Sequence, residues 1–250
     1  MQILSLKKKA LNTDDWMGAI ITFAIASLWI VSLVGSFHIF VTQISWLLLV
    51  CSILIRTYLH TGLFILAHES MHGNLIPNHQ HLNKIVGRLM LGIYGFLPYD
   101  RCFANHINHH RYPSQSGDPD FHGDATNPIH WYCKFMSEYF PLQSLITFIA
   151  SMIVIMAILM IVFHVALINL ILFWLLPLIL SSLQLFFFGT YLPHRQVDNN
   201  LNFSPRLHSD RYAVLWSFLS CYNFGHYHWE HHAYPHIPWY KLPKALYRNH

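Results

Sequence analysis

Three short strings concentrate the chemistry of this chain: "HESMH" at residues 68–72, "HINHH" at 106–110 and "HWEHH" at 228–232. On a helix, positions i, i+3 and i+4 share a face, so each string aims at least two imidazoles at a common point. A further histidine, His194, stands in "FGTYLPHR". The candidate metal ligands are therefore His68, His72, His106, His109, His110, His194, His228, His231 and His232. One zinc takes three or four ligands, so a set of this size suits two metals rather than one. Imidazole serves Fe, Cu, Zn and Ni alike, so ligand type does not select among them. Read alone, "HESMH" also fits the zinc metalloprotease pattern, in which two histidines one turn apart hold the metal and Glu69 is the general base. An intramembrane protease built that way leaves the other histidines without work.

The elements that must position these residues follow from composition. Of 250 residues, 54% are hydrophobic and 10% charged, with 20 histidines, whereas a soluble domain carries about 25% charged residues. This composition is that of an integral membrane protein. About 20 apolar residues cross a bilayer as a helix. Four stretches qualify: Trp16 to Ile39, Ile44 to Ala67, Ser144 to Phe163 and Leu170 to Tyr191. The turns between the first two and between the last two are short, which predicts two helical hairpins. "IVGRLMLGIYGFLP" (Ile85 to Pro98) contains Arg88 and two glycines and reads as a re-entrant or interfacial helix rather than a crossing. The apolar stretch after Lys7 to Lys9 runs past signal-peptide length, so it is expected to remain as the first span.

Charge sets the expected orientation. Of the 15 Lys and Arg, all but Arg56 lie in the N-terminal tail, the 68–143 segment or the C-terminal segment, and the hairpin turns carry none. Lys and Arg collect in cytoplasmic loops, so the histidine strings and both termini are expected on the cytoplasmic side. The expected fold is all-α: four transmembrane helices in two hairpins, with a cytoplasmic helical cap carrying a histidine-rich di-metal site, all within one domain over residues 1–250. The four cysteines share no CxxC spacing and read as free thiols. Histidines outside the strings, such as His79, His81 and His250, read as ordinary polar residues. His60, two turns before His68, reads as a packed polar side chain.

Acidic residues near the strings are candidates to orient the imidazoles, because a metal-bound histidine usually donates its other N–H to a carboxylate or carbonyl. Asp118 and Asp120 in "GDPDF" follow the second string; Glu69 and Glu230 lie inside the first and third. An Asp-Pro turn is the plainer reading of "GDPDF".

The HxxxH, HxxHH and HxxHH strings resemble those of the membrane-bound fatty acid desaturase and hydroxylase superfamily. "FGTYLPHR", "GDPDF", "HESMHG", "LPY" (Leu97 to Tyr99) and "YHWEHHAYPHIPWYKLP" are similar, more specifically, to the bacterial and cyanobacterial β-carotene ketolases. The resemblance implies a di-iron, O2-dependent oxidoreductase that converts C4 of a β-ionone ring to a ketone. It also implies the same nine histidines as iron ligands, two Fe2+, a carotenoid substrate drawn from the lipid bilayer, and an external, ferredoxin-like electron donor. Nothing points to nucleic acid, and no GxGxxG fingerprint marks a nucleotide of the chain's own. A carotenoid hydroxylase or acyl-lipid desaturase is the alternative within the superfamily. Two departures stand out: Glu69 occupies a position where family members commonly carry Asp, and Asn223 precedes Phe224 and Gly225 where they commonly carry His.

Overall fold

The computed structural model describes residues 16–122, 127–194 and 211–245. The basic N-terminal tail, Arg195 and the extreme C-terminus, on which part of the orientation argument rests, lie outside the described residues. Every regular element among the described residues is helical. In chain order they are α1 (Met17–Ser36), α2 (Trp46–Met71), α3 (Gln80–Gly95), α4 (Tyr99–Arg111), α5 (Pro128–Tyr139), α6 (Leu142–Val162), α7 (Leu167–His194), α8 (Arg211–Cys221), α9 (His228–Ala233) and α10 (Leu242–Ala245).

Helices α1, α2, α6 and α7 are long and apolar enough to cross a membrane. They fall within a few residues of the four expected stretches. The differences lie at the ends: α2 runs on to Met71 and α7 to His194, so both carry histidines on their last turns. At 1.5 Å per residue, Trp46 and His68 are ~33 Å apart along α2, about the thickness of the hydrocarbon core. The first histidine string is therefore placed where a spanning helix emerges. On α6, Met152 is the buried residue, while Ile146, Ile153, Val154 and Ile161 face outward, as suits a helix solvated by lipid.

Helix α3 is amphipathic and lies along α2. Asn83, Gly87, Met90, Leu91 and Tyr94 are buried at helical spacing, whereas Lys84 and Arg88 point outward and pair with Asp100. A side chain at Gly87 would collide with Ser70 and Tyr99, so glycine is what lets the two helices approach. The segment expected as interfacial is thus a 16-residue helix, and it is not among the membrane-length helices.

Prolines shape the interior. In α register the partner of the Phe173 carbonyl would be the N–H of residue 177, which is a proline and has none. Helix α7 widens to a π turn over Ile171–Leu175, and Arg56 Nε of α2 donates to Phe173 O at 2.9 Å. Arg56 Nη1 also donates to Trp29 O at 2.7 Å and to Ser32 Oγ at 2.9 Å on α1. Its guanidinium carbon lies 5.0 Å from the Trp29 ring centroid. One turn further along α2 the pattern recurs. Tyr94 O, in the last turn of α3 with Pro98 four residues on, is 2.8 Å from His60 Nε2, while Trp29 Nε1 donates to His60 Nδ1 at 3.0 Å. Thr61 then donates to Gln184 Oε1 at 2.6 Å, and Gln184 Nε2 to Ser220 O. A polar ladder on one helix thus satisfies backbone groups of three others inside an apolar bundle, where an unsatisfied carbonyl is costly.

Arg56→Ala is expected to lower the thermal midpoint of the detergent-solubilised protein, because a hydrogen bond to a charged group contributes ~1.5–3 kcal/mol. Pro177→Ala restores an N–H to α7 and should recover part of that loss in the double variant. Equal losses with and without Pro177 would show that Arg56 does not act through the Phe173 carbonyl.

Candidate metal centre

Nine histidines converge where the C-terminal turns of α2 and α7 meet α4 and α9. His68 ends α2 and His72 caps it; His106, His109 and His110 lie on α4; His194 ends α7; His228, His231 and His232 lie on α9. They separate into two groups. His68, His72, His106, His110 and His231 form one, and His109, His194, His228 and His232 the other; within each group the facing nitrogens lie within 4.8 Å of one another. Helix geometry explains the division. In each HxxHH string the i and i+4 histidines join one group, and the histidine between them, turned roughly 60° from the first and roughly 100° from the last, joins the other. The two strings divide in opposite senses, so α4 gives two histidines to the first group and α9 gives two to the second.

The Nε2 atoms face one another closely. His72 and His106 are 2.6 Å apart, His110 and His231 2.9 Å, His194 and His228 2.9 Å, His109 and His232 2.9 Å, and His228 and His232 3.1 Å. A metal with M–N bonds of about 2.0–2.1 Å sets neighbouring ligand nitrogens roughly 3 Å apart. The donor set therefore fits a metal ion in each group. His68 adds a second sign: it is 4% exposed, and neither ring nitrogen has a hydrogen-bond partner among the described residues. Buried imidazole nitrogens without partners are costly, and a coordinated cation would satisfy one of them.

The protonation states suit ligation. Burial first, and then the neighbouring imidazoles, hold His106, His228, His231 and His232 well below the usual histidine range. Burial brings His72 down to about 4, and burial with the adjacent His72 and His109 brings His110 down to about 3. Neutral rings keep a lone pair for a metal. His109 is the exception. Burial opposes its charge, but Asp120 and Asp118 outweigh burial and raise it.

The acidic candidates take different places. Asp118 is buried and 2.9 Å from His109 Nδ1, on the side away from the cluster; its oxygens also accept from the backbone N–H groups of Ser114 and Asp120. It both forms the turn and supports the imidazole, so the two readings of "GDPDF" coexist. Asp120 stands 4.0 Å from His109 Nδ1 and instead accepts from Tyr139 Oη at 2.7 Å. Glu69 is fully buried, with Oε2 accepting from Asn74 Nδ2 at 2.8 Å and Oε1 3.8 Å from His68 Nδ1. Glu230 is half-buried on α9. Two contributors carried no pattern in the sequence. Ser114 Oγ is 2.8 Å from His194 Nδ1, and Phe224 packs edge-on against His68 with centroids 4.3 Å apart. Asn223, at the departure from the family pattern, donates to Trp239 O at 3.4 Å.

Five of the histidines, His68, His106, His109, His228 and His231, also line a cleft. Apolar side chains dominate its remaining lining, among them Phe64, Ile65, Phe135, Leu185 and Phe224.

Four membrane-length helices, two of which bring histidines to a cluster completed by α4 and α9, define a histidine-box membrane protein, and the chain belongs to the fatty acid desaturase family, whose description matches residues 44–250. Within that family, the chain is 34% identical to the Beta-carotene ketolase of Paracoccus sp. (strain PC1), over 97% of each chain. It is 35% identical to the Beta-carotene ketolase of Paracoccus sp. (strain N81106 / MBIC 01143), over 80% of this chain and 79% of the relative. The Zeaxanthin 4-ketolase of Chlamydomonas reinhardtii is 33% identical over 90% of this chain and 50% of that protein. No solved structure matches the chain.

Removing a partner that orients a metal-bound histidine typically weakens the metal by ~10–100-fold. Asp118→Ala is expected to weaken one of two metal equivalents by that factor in a competition titration and to leave the other unchanged. The exposed His79 serves as control. Equal weakening of both equivalents would mean that Asp118 does not act through His109.

Proposed function

We propose that this chain is an O2-dependent di-iron oxygenase that converts the C4 methylene of β-ionone rings of β-carotene to a ketone. The observation that carries the reading is a mostly apolar cleft lined by histidines of both groups. The substrate class comes from the ketolase relatives. In this reading one iron is held by His68, His72, His106, His110 and His231, and the other by His109, His194, His228 and His232. When bound, the iron pair supplies activation of O2. The chain's own residues do the rest: burial keeps the imidazoles other than His109 neutral with a lone pair to offer, Asp118 fixes the His109 ring, and Phe64, Leu185 and Phe224 exclude water and cradle the ring.

The chemistry balances in two rounds. Each round replaces one C4–H bond by C–OH, consumes one O2, two electrons and two protons, and releases one water. The second round gives a geminal diol, which loses water to the ketone. The electrons come from an external, ferredoxin-like donor. We also infer that the four spans form two hairpins, that helices α3, α4, α5 and α9 cap them on the cytoplasmic side, and that both termini lie on that side. The gathering of Lys and Arg away from the turns at Ile39 to Gln43 and Phe163 to Ala166 supports this orientation.

Glu69 separates this reading from a zinc protease. A general base must reach the proton it removes from metal-bound water, but this carboxylate stands on the Nδ1 side of His68, held by Asn74, and does not line the cleft. Expression in a β-carotene-producing host should yield C4 ketones, and absence of C4 oxygenation would overturn the reading. Glu69→Asp is expected to retain pigment close to the parent level, and Glu69→Gln to lose no more than ~10–100-fold. Abolition of product in both, with iron still bound, would give this carboxylate a chemical role that the mechanism omits.

A further inference from the structure

Besides its histidines and the hydroxyl-bearing Thr190, the cleft lining holds a carboxylate that a hydrocarbon cannot use. Asp120 and Tyr139 lie side by side in its wall, among side chains that are otherwise mostly apolar. Asp120 is firmly placed. Its backbone N–H donates to Asp118 Oδ1 at 2.9 Å, its carbonyl accepts from Trp131 Nε1 at 2.9 Å, and its Oδ1 accepts from Tyr139 Oη at 2.7 Å. Its Oδ2 makes no hydrogen bond among the described residues. The hydrogen bond to His109 Nδ1 is made by Asp118 at 2.9 Å, while Asp120 Oδ2 stands off at 4.0 Å and acts on that ring by its charge alone, which leaves its hydrogen-bonding capacity unused.

A β-ionone ring entering the cleft strips water from Asp120 and returns no hydrogen bond, which is unfavourable. The balance reverses after one oxidation, when C4 carries a hydroxyl. We propose that Asp120, braced by Tyr139, accepts a hydrogen bond from that hydroxyl and holds the once-oxidised ring in place, so that the remaining C4–H faces the histidines for the second oxidation. Asp120 is thus a positioning and specificity residue that favours ketone over released alcohol. This rests on the ketolase reading above. The second round it promotes consumes the same O2, two electrons and two protons as the first, from the same external donor, and ends in loss of water from the geminal diol.

The test is the ratio of 4-hydroxy to 4-keto pigment in a β-carotene-producing host, a quantity independent of how much protein folds. Asp120→Leu keeps the approximate shape without a hydrogen-bonding atom and should raise the ratio about tenfold, the effect of one charge-assisted hydrogen bond. Tyr139→Phe, which unbraces the carboxylate, should raise it by less, and Asp120→Asn, which keeps one acceptor without the charge, should fall between Asp120→Leu and the parent. Under argon and without reductant, the purified iron-loaded parent should bind 4-hydroxy-β-carotene more tightly than β-carotene, and Asp120→Leu should lose that preference. If the parent makes ketone but both Asp120→Leu and Tyr139→Phe keep its ratio, the inference fails while the ketolase reading stands. If the parent makes no C4-oxygenated pigment, the ketolase reading itself has failed. Should Asp120→Leu make no oxidised pigment at all, the Tyr139→Phe ratio and the anaerobic binding preference decide: a shift supports the inference and no shift overturns it.

Discussion

Gathering nine imidazoles out of water is costly wherever a ring nitrogen lacks a partner, as those of His68 and the Nδ1 atoms of His228 and His231 do among the described residues, and that cost bears on the whole architecture. The close Nε2 pairs and the unpartnered nitrogens of His68 describe a site whose stability depends on what it coordinates. Burial keeps the rings around it neutral, the form that binds metal, and Asp118 and Ser114 reach the far nitrogens of His109 and His194. The helices serve this end: α2 and α7 carry their histidines to one end of the bundle, and α9 joins the two groups by contributing to both.

Depth and rotation of α2 therefore matter as much as ligand identity, and both are set well below the site. Arg56 and His60, one turn apart, each take up a carbonyl on another helix, Phe173 O in the π turn of α7 and Tyr94 O in the last turn of α3. Thr61 continues the ladder to Gln184 and hence to Ser220. Two turns beyond His60 on the same face of α2 stands His68. A helix held at three levels by directional bonds cannot slide or turn freely, whereas apolar packing alone would permit small rotations that misplace His68 and His72.

Much of this was legible in the chain. The four spans could be read because nothing but apolar length is needed to cross lipid; most described ends lie within three residues of expectation, and the larger extensions come where histidines follow the apolar run on a continuing helix, at His68 to Met71 and at Leu192 to His194. The family followed from "FGTYLPHR" and the strings, and the ketolase relatives agree with it. Other features were hidden because they depend on pairings far apart in the chain. The division of each HxxHH string between two groups needs the relative rotation of α4 and α9. Arg56 reads as an isolated charge in a span until Phe173, 117 residues away, is brought beside it. Asp118 and Asp120 look equivalent in "GDPDF", yet one turns toward His109 and the other toward Tyr139 and the cleft.

The central claim is that two metal ions occupy two separate groups of imidazoles. Crystals of the iron-loaded protein, with anomalous differences measured above and below the iron edge, test it most directly. Two iron peaks per chain are expected, one among His68, His72, His106, His110 and His231 and the other among His109, His194, His228 and His232. A single peak, or a peak outside either group, would contradict the account.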